Sequence, residues 1–221
     1  MTRFENVTFD AKKCRDELTA FEKLLSKGSL EERKDILPFF KKNRNLAAFI
    51  GAFNTYNSLF DKLAYELSLY GDFVCDMVTG DSKAHAYCFV EFEDATPESI
   101  FKKKQRNRTE WSPRFERGFG QLLDWMWKVD EQRLTPTFAS LFGGPHPSCT
   151  TLLIIGRTAH VTDSTDLSRF LWLRDKLVVD GRQIICMTYD DLLDALKNKI
   201  TYALGMAIDA TLEEVKRYQS T

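Results

Sequence analysis

The chain begins with a pattern that is typical of amphipathic helices, because its apolar residues recur every three or four positions. We expect a first helix that begins after Asp10 and ends near Gly28. Its apolar positions are Cys14, Leu18, Phe21 and Leu25.

A second helical pattern runs from Ser29 to Phe40. Ser29 and Glu32 have the S-x-x-E spacing of a capping box, which predicts the start of this helix. Pro38 lies inside the pattern and predicts a kink or a break. A third short piece, helical or irregular, is expected over 45–53.

Alternation of apolar and polar residues, which is typical of β-strands, replaces the helical spacing between residues 63 and 93. Residues 63–70 either form a hairpin with the strand that follows or belong to one long, bent strand. Residues 71–93 predict two strands joined by a turn at 79–82, Thr-Gly-Asp-Ser. On the second strand, His85, Tyr87, Phe89, Glu91 and Glu93 share one face, and Ala86, Cys88, Val90 and Phe92 share the other.

The second half of the chain alternates between helices and short apolar strands. A long helix should begin at Ser112-Pro113, because a capping residue followed by proline is a common helix start. The elements predicted after it are a helical or irregular segment at Glu131–Phe142, strands at Thr151–Gly156 and Gln183–Thr188, and helices after Asp163, at Asp190–Lys197 and at Leu212–Tyr218. This order implies a sheet that is partly parallel.

Composition supports a folded protein but leaves the partner open. The 221 residues are 43% hydrophobic, and 31 basic against 32 acidic residues give a net charge of −1, which argues neither for nor against nucleic acid. The five cysteines are far apart and form no Cys/His cluster, which argues against structural zinc and favours reduced thiols. We expect a cytoplasmic protein without a membrane partner, since no apolar run approaches the ~20 residues of a membrane helix.

Four acids on the two predicted strands are candidate metal ligands, namely Asp72, Asp76, Glu91 and Glu93. Carboxylates at the end of so apolar a strand repel each other and lose hydration, which is costly unless a cation compensates. A cluster of carboxylate oxygens suits Mg²⁺ or Mn²⁺. The alternative is a strand that emerges into solvent at Glu91.

The densest basic run in the chain follows these strands. Its residues are Lys102, Lys103, Lys104, Arg106 and Arg108. Beside an acidic metal site this run would suit a phosphate backbone. A flexible, charged loop is the alternative interpretation.

The order of these elements and motifs resembles the restriction-endonuclease-like fold of the PD-(D/E)XK nucleases. In that superfamily an Asp begins the second core strand, an acid-x-Lys motif follows on the third, and a helix beside the site often carries Gln-xxx-Tyr. The corresponding residues here are Asp72, Glu91-Phe92-Glu93 and Gln121 with Trp125. The stretches FVEFEDA and GFGQLLDW, with the basic run between them, are more similar still to the Shedu family of bacterial antiphage nucleases, over roughly 29–197.

The resemblance implies an α/β protein with a restriction-endonuclease-like core, in which helices flank a central mixed sheet. It implies a nuclease domain over 29–200, preceded by a helical arm over 1–28 and followed by a helical tail over 201–221. Members of the family are expected to be homo-oligomers.

The implied activity is a metal-dependent endonuclease that hydrolyses DNA, with RNA left open. Asp72 and Asp76 would hold Mg²⁺ or Mn²⁺ together with Glu91, and Asp72 is the favoured principal ligand. Gln121 would orient water or a phosphate oxygen. Glu32 is a further candidate acid from the first core helix, although its capping-box position explains it equally well. The basic run, or Arg114 and Arg117, would bind flanking phosphates.

Two positions depart from the superfamily pattern, because Glu93 replaces the lysine and Trp125 replaces the tyrosine. Glu93 would add a metal ligand or accept a proton from the attacking water, but it cannot supply the lysine's positive charge. The alternative function is a catalytically inactive module that kept the fold and binds nucleic acid or assembles.

Overall fold

A seven-stranded sheet lies at the centre of the computed structural model, which describes residues 3–103 and 109–202. In chain order the strands are β1 (Glu5–Asn6), β2 (Lys62–Leu69), β3 (Phe73–Asp81), β4 (Ala86–Phe92), β5 (Phe101–Lys103), β6 (Thr109–Trp111), β7 (Ser148–Ile154), β8 (Val178–Val179) and β9 (Arg182–Met187). The order across the central sheet is β1-β2-β3-β4-β7-β9-β8, and β5 pairs with β6 in a separate hairpin.

Strand directions confirm a mixed sheet. The pairs from β1 to β4 are antiparallel, whereas β7 runs parallel to both β4 and β9. The parallel part is the portion predicted from the alternation of strands and helices in the second half of the chain. At the far edge, β8 pairs antiparallel with β9.

Helices cover both faces of the sheet. In chain order they are α1 (Ala11–Leu25), a π-helical turn (Glu32–Ile36), α2 (Leu37–Lys42), α3 (Arg44–Phe49), a 3₁₀ turn (Ile50–Phe53), α4 (Pro113–Gln132), α5 (Pro136–Phe142), a 3₁₀ turn (Thr158–His160), α6 (Ser164–Lys176) and α7 over 189–202. One hydrophobic core packs α1, α2, α3 and α7 against the sheet, and a second packs α4, α5 and α6 against its other face. No helix in the described ranges is long and apolar enough to cross a membrane.

β4 is buried along its whole length and separates the two cores. Cys88, Val90 and Phe92 belong to the first core, whereas Tyr87 and Phe89 belong to the second. The predicted division of this strand into two faces is therefore confirmed. Since side chains alternate along a strand, this division places Glu91 on the side of α4.

The first helix is confirmed, and it packs against the sheet. Asp10 caps α1 by accepting hydrogen bonds from the backbone N–H groups of Lys12 (2.9 Å) and Lys13 (3.0 Å). The predicted apolar positions of α1 are all buried, and they lie in the same core as Phe92. The segment predicted as an N-terminal arm thus contributes to the main core.

Two local predictions were wrong. Glu32 makes no capping box with Ser29, because the backbone N–H of Glu32 donates instead to Asp94 Oδ1 at 2.7 Å. The turn predicted at 79–82 lies instead at 82–85, since β3 continues through Asp81. Asp81 Oδ1 closes that turn by accepting hydrogen bonds from the N–H groups of Lys83 and Ala84.

The structure also decides between the alternatives for residues 63–70 and gives the pairing of part of the basic passage. Residues 63–70 form a hairpin with β3. The turn of this hairpin contains Tyr70 and Gly71, whose φ angles are positive, 58° and 86°. The basic passage after β4 contains the β5–β6 hairpin, although Lys104, Arg106 and Arg108 lie outside the described residues. The helix predicted at 212–218 and most of the tail predicted at 201–221 also lie outside them.

Candidate acidic groove

An open groove of about 390 Å³ lies where β3, α4 and the π-helical turn meet. Several of the predicted site residues line it together. The lining residues are Glu32, Arg33, Leu37, Pro38, Lys41, Glu66, Val74, Asp76 and Gln121.

Asp76 is held at the edge of this groove by an irregularity in the sheet. In the β2–β3 ladder Tyr65 pairs with Met77 and Leu67 pairs with Cys75, but the intervening residues Glu66 and Asp76 do not pair. Glu66 has a left-handed φ of 50°. Asp76 Oδ2 accepts a hydrogen bond of 2.9 Å from the backbone N–H of Phe92. This bond fixes the carboxylate beside the end of β4, next to Glu91.

Burial and mutual repulsion disfavour the ionised forms of these acids. Burial, and after it the nearby carboxylates of Asp76, Glu93 and Glu32, raise the pKa of Glu91 to about 10. Burial is also the main cause that raises the pKa of Asp76 to about 6 and that of Glu32 to about 7. At neutral pH these groups therefore cannot all be ionised without a compensating cation.

Glu32 reaches the groove because the chain there forms a π-helical turn rather than an ordinary helix start. Its backbone N–H donates to Asp94, and its side chain, which is 17% exposed, lines the groove. Pro38 follows within α2, so the turn ends where a regular helix can begin. Single π-helical turns are frequent at functional sites.

Glu93 is bound by arginines of α4. Its side chain is 2% exposed, and Oε2 accepts a hydrogen bond of 2.8 Å from the Arg114 guanidinium. Arg117, which is 62% exposed, lies 3.6 Å from Oε1. Burial raises the pKa of Glu93, whereas the hydrogen bond from Arg114 and the charge of that guanidinium favour the carboxylate.

Gly118 allows α4 to approach Glu93 closely. A Cβ atom at this position would lie 2.8 Å from Leu153 Cδ1 and 3.2 Å from Glu93 Cγ. Both distances are shorter than an ordinary van der Waals contact. Gly118, the first of the two glycines in GFGQLLDW, therefore has a packing role that the sequence alone does not reveal.

Asp72 lies apart from this cluster. It belongs to the β2–β3 turn, is 55% exposed, and pairs with Lys128 of α4 at 2.5 Å. The ladder between β3 and β4 ends at Met77–Val90, so Asp72 lies well beyond the strand end that carries Glu91. The structure thus places Asp76, and not the favoured Asp72, beside Glu91.

The predicted basic residues are only partly placed near the groove. Arg114 and Arg117 contact Glu93, whereas Lys102 and Lys103 are exposed on β5, which does not line the groove. Gln121 does line it, one helical turn from Arg117. Trp125, which the resemblance relates to the superfamily's tyrosine, is buried in the core and does not line the groove.

Two residues of the site were missed by sequence reasoning. Asp94 accepts the N–H of Glu32 and also pairs with Arg114 at 2.9 Å, so it ties the π-helical turn, β4 and α4 together. Tyr189, which is fully buried, donates its hydroxyl to the backbone oxygen of Glu93 at 2.7 Å. The adjacency of Asp94 to Glu93 was a signal for the first, but no local pattern pointed to Tyr189.

The fit of this site to a divalent cation rests on one atom. Within 3–103 and 109–202, no group of three or more His, Cys, Asp or Glu side chains is arranged to hold a metal ion. Glu91 Oε2, however, is buried and has no hydrogen-bond partner. A buried carboxylate oxygen without a donor is costly, and a cation bound at Asp76 and Glu91 would remove that cost.

Comparison with known proteins finds one family. A family model described as Shedu protein SduA, C-terminal, matches residues 29–193, which is most of the chain. The matched region begins just before the π-helical turn that carries Glu32 and ends inside α7. No curated protein matches the sequence.

Proposed function

Because the chain belongs to the Shedu family, whose SduA C-terminal region it matches, we propose that it is a metal-dependent endonuclease that cuts DNA in antiphage defence. The proposal includes the fold, since a mixed sheet flanked by helices is compatible with a restriction-endonuclease-like core. The observation that carries it is the pair of Asp76 and Glu91 at the end of β4, with a buried Glu91 oxygen that has no partner.

The residues that would hold Mg²⁺ or Mn²⁺ are Asp76 and Glu91, with Glu32, which also lines the groove and whose charge acts on Glu91. Such an ion lowers the pKa of bound water and neutralises charge on the phosphate. Carboxylate oxygens are the ligands that both cations prefer. Glu93 is a weaker candidate ligand, because both of its oxygens already face arginines.

The remaining groove residues would position the DNA strand. Hydrolysis adds the OH of water to phosphorus and the hydrogen to the departing sugar oxygen. Gln121 lines the groove, where its amide can donate to a phosphate oxygen or accept from water. Arg117 is exposed beside the groove and suits a flanking phosphate.

The test is cleavage of linear and supercoiled DNA in Mg²⁺, in Mn²⁺ and in EDTA. We expect metal-dependent cutting by the wild type. The cleavage rate of Glu91→Gln should be lower by about a hundredfold or more. The matched control is Glu22→Gln, which changes an exposed acid of α1 that pairs with Lys197. Its rate should equal that of the wild type.

The contact between Glu93 and Arg114 favours a second candidate, a DNA-binding module without activity. A carboxylate that is held by arginine does not replace a strand lysine. If no DNA form is cut with either metal, while the wild type still binds DNA in a salt-dependent way, this second function is supported and the first is wrong.

A further inference from the structure

The positive charge that the acid-x-Lys motif would place at the end of β4 has to come from elsewhere, since Glu93 occupies the lysine position. Among the residues that the structure describes, three cations other than Arg117 lie around the groove, namely Arg33, Lys41 and Arg114. Arg33 has a side chain that is 90% exposed, and Lys41 pairs with Glu66. Neither is held at the end of β4.

Arg114 differs because three acids, two directly after β4 and one in the π-helical turn, surround its guanidinium. It contacts Glu93 Oε2 at 2.8 Å, Asp94 Oδ2 at 2.9 Å and Glu32 Oε2 at 4.0 Å. Its side chain is 34% exposed, so part of it still reaches solvent, 4.0 Å from Glu32, which lines the groove. A guanidinium carries five N–H groups, so these carboxylates leave donors for a phosphate oxygen.

The location of Arg114 is unfavourable for the helix itself. It lies in the first turn of α4, which Ser112 caps, and a cation near a helix N-terminus is disfavoured by the helix dipole. The contacts with Glu93 and Asp94 offset that cost. Glu93 and Asp94 thus bind a cation from α4 at the position where the superfamily pattern has a lysine on the strand.

We propose that Arg114 supplies the charge of the missing lysine and contacts the scissile phosphate, while Glu93 and Asp94 act as positioning residues for its guanidinium. This inference rests on the proposed nuclease function. Negative charge on the phosphate oxygens is stabilised best by a cation that is already fixed in place, and arginine is suited to that task. Arg117 is more exposed and more distant from Glu93, so it is not assigned this role.

The test is to move the charge back to the strand. Arg114→Ala should lower kcat by about a hundredfold, with KM within about threefold of the wild type. The double variant Glu93→Lys/Arg114→Ala should have a kcat at least about tenfold higher than that of Arg114→Ala, because the lysine then lies at the end of β4. Arg114→Lys, which keeps a charge on α4, should also retain more kcat than Arg114→Ala.

The matched control is Arg182→Ala, which removes another partly buried arginine, paired with Asp130 at 2.9 Å and away from the groove. It should leave kcat unchanged. A readout independent of cleavage is the affinity for uncut DNA in EDTA, measured by fluorescence anisotropy. Arg114→Ala should stay within about threefold of the wild type there.

Several results would overturn the inference. If the wild type cuts DNA and Arg114→Ala cuts as fast, the inference fails while the nuclease function stands. A large loss of affinity in EDTA with unchanged kcat would make Arg114 a flanking contact. If the Lys variants melt like the wild type yet neither exceeds Arg114→Ala in kcat, charge is not what Arg114 supplies. A wild type that cuts no DNA removes both proposals.

Discussion

The backbone N–H of Phe92 donates a hydrogen bond of 2.9 Å to the carboxylate of Asp76, across the point where the β3–β4 ladder stops. A side chain here takes the place of a backbone partner. The bond turns the acid toward Glu91, and it keeps one oxygen of Asp76 in a fixed place. The site at the end of β4 depends on this relationship.

The first prediction separates the two aspartates. Asp76→Asn should lower DNA cleavage by about a hundredfold or more, because it removes a charge next to Glu91. Asp72→Asn should keep the activity of the wild type, since Asp72 pairs with Lys128 of α4 and does not line the groove. Initial rates of plasmid cleavage in Mn²⁺ measure both. Equal losses in the two variants would contradict this assignment of the site.

Asp76 illustrates what the sequence could predict about the site. Alternation places Glu91 and Glu93 on one face of the predicted strand, because period 2 follows from strand geometry alone. The choice between Asp72 and Asp76 depended on where the hairpin turns and on the skipped pair at Glu66, and neither has a local sequence signal. The order of helices and strands was predictable because its apolar periods are long and regular.

The contacts between distant segments were not predictable. The sequence predicts Glu32 either as a capping residue or as a further site acid, and gives no sign that its N–H binds Asp94, which lies 62 residues later. Tyr189 reaches Glu93 across 96 residues of sequence. Such pairs depend on tertiary packing, so a single sequence gives no pattern for them.

A second prediction concerns the stability of the metal-free protein. The pKa values of Asp76, Glu32 and Glu91 are raised to about 6, about 7 and about 10. An acid with a raised pKa binds more protons in the folded state, so its stabilising effect at low pH is lost as pH rises above its unfolded value. Urea unfolding in EDTA should therefore show stability falling from pH 5 to pH 8.

Glu91→Gln isolates the contribution of one acid to that fall. Between pH 7 and pH 8 Glu91, whose pKa is raised the most of the three acids, still resists ionisation, so its share is about 1 kcal/mol per pH unit. The variant should lose most of this slope, and Glu22→Gln should keep it. An unchanged slope in Glu91→Gln would mean that Glu91 is not the origin of the pH dependence.

A third prediction concerns metal binding in the absence of DNA. Mn²⁺ should raise the melting temperature of the wild type, because a ligand at a hundred times its Kd adds about 2.7 kcal/mol to the free energy of unfolding. Glu91→Gln should show little shift, since the carboxylate charge that would bind the cation is gone. The measurement is thermal unfolding with and without Mn²⁺. Equal shifts in both proteins would place the metal elsewhere.

The last prediction uses two glycines of α4 that differ only in their surroundings. At Gly120 a Cβ atom would meet nothing within 4 Å, so Gly120→Ala should stabilise the protein by about 1 kcal/mol through helix propensity. At Gly118 the same Cβ would lie 2.8 Å from Leu153 Cδ1 and 3.2 Å from Glu93 Cγ. Gly118→Ala should therefore destabilise the protein by about 1–3 kcal/mol, since the core must move to make room.

The two variants also differ in what they do to the groove. Displacement of Glu93 in Gly118→Ala would disturb its contact with Arg114, so cleavage should fall together with stability. Gly120→Ala should leave cleavage unchanged. Urea unfolding and initial cleavage rates on the same preparations test both effects. If Gly118→Ala and Gly120→Ala stabilise the protein equally, α4 does not approach Glu93 as closely as in the structure. The position of Arg114 beside Glu93 at the end of β4 would then also be wrong.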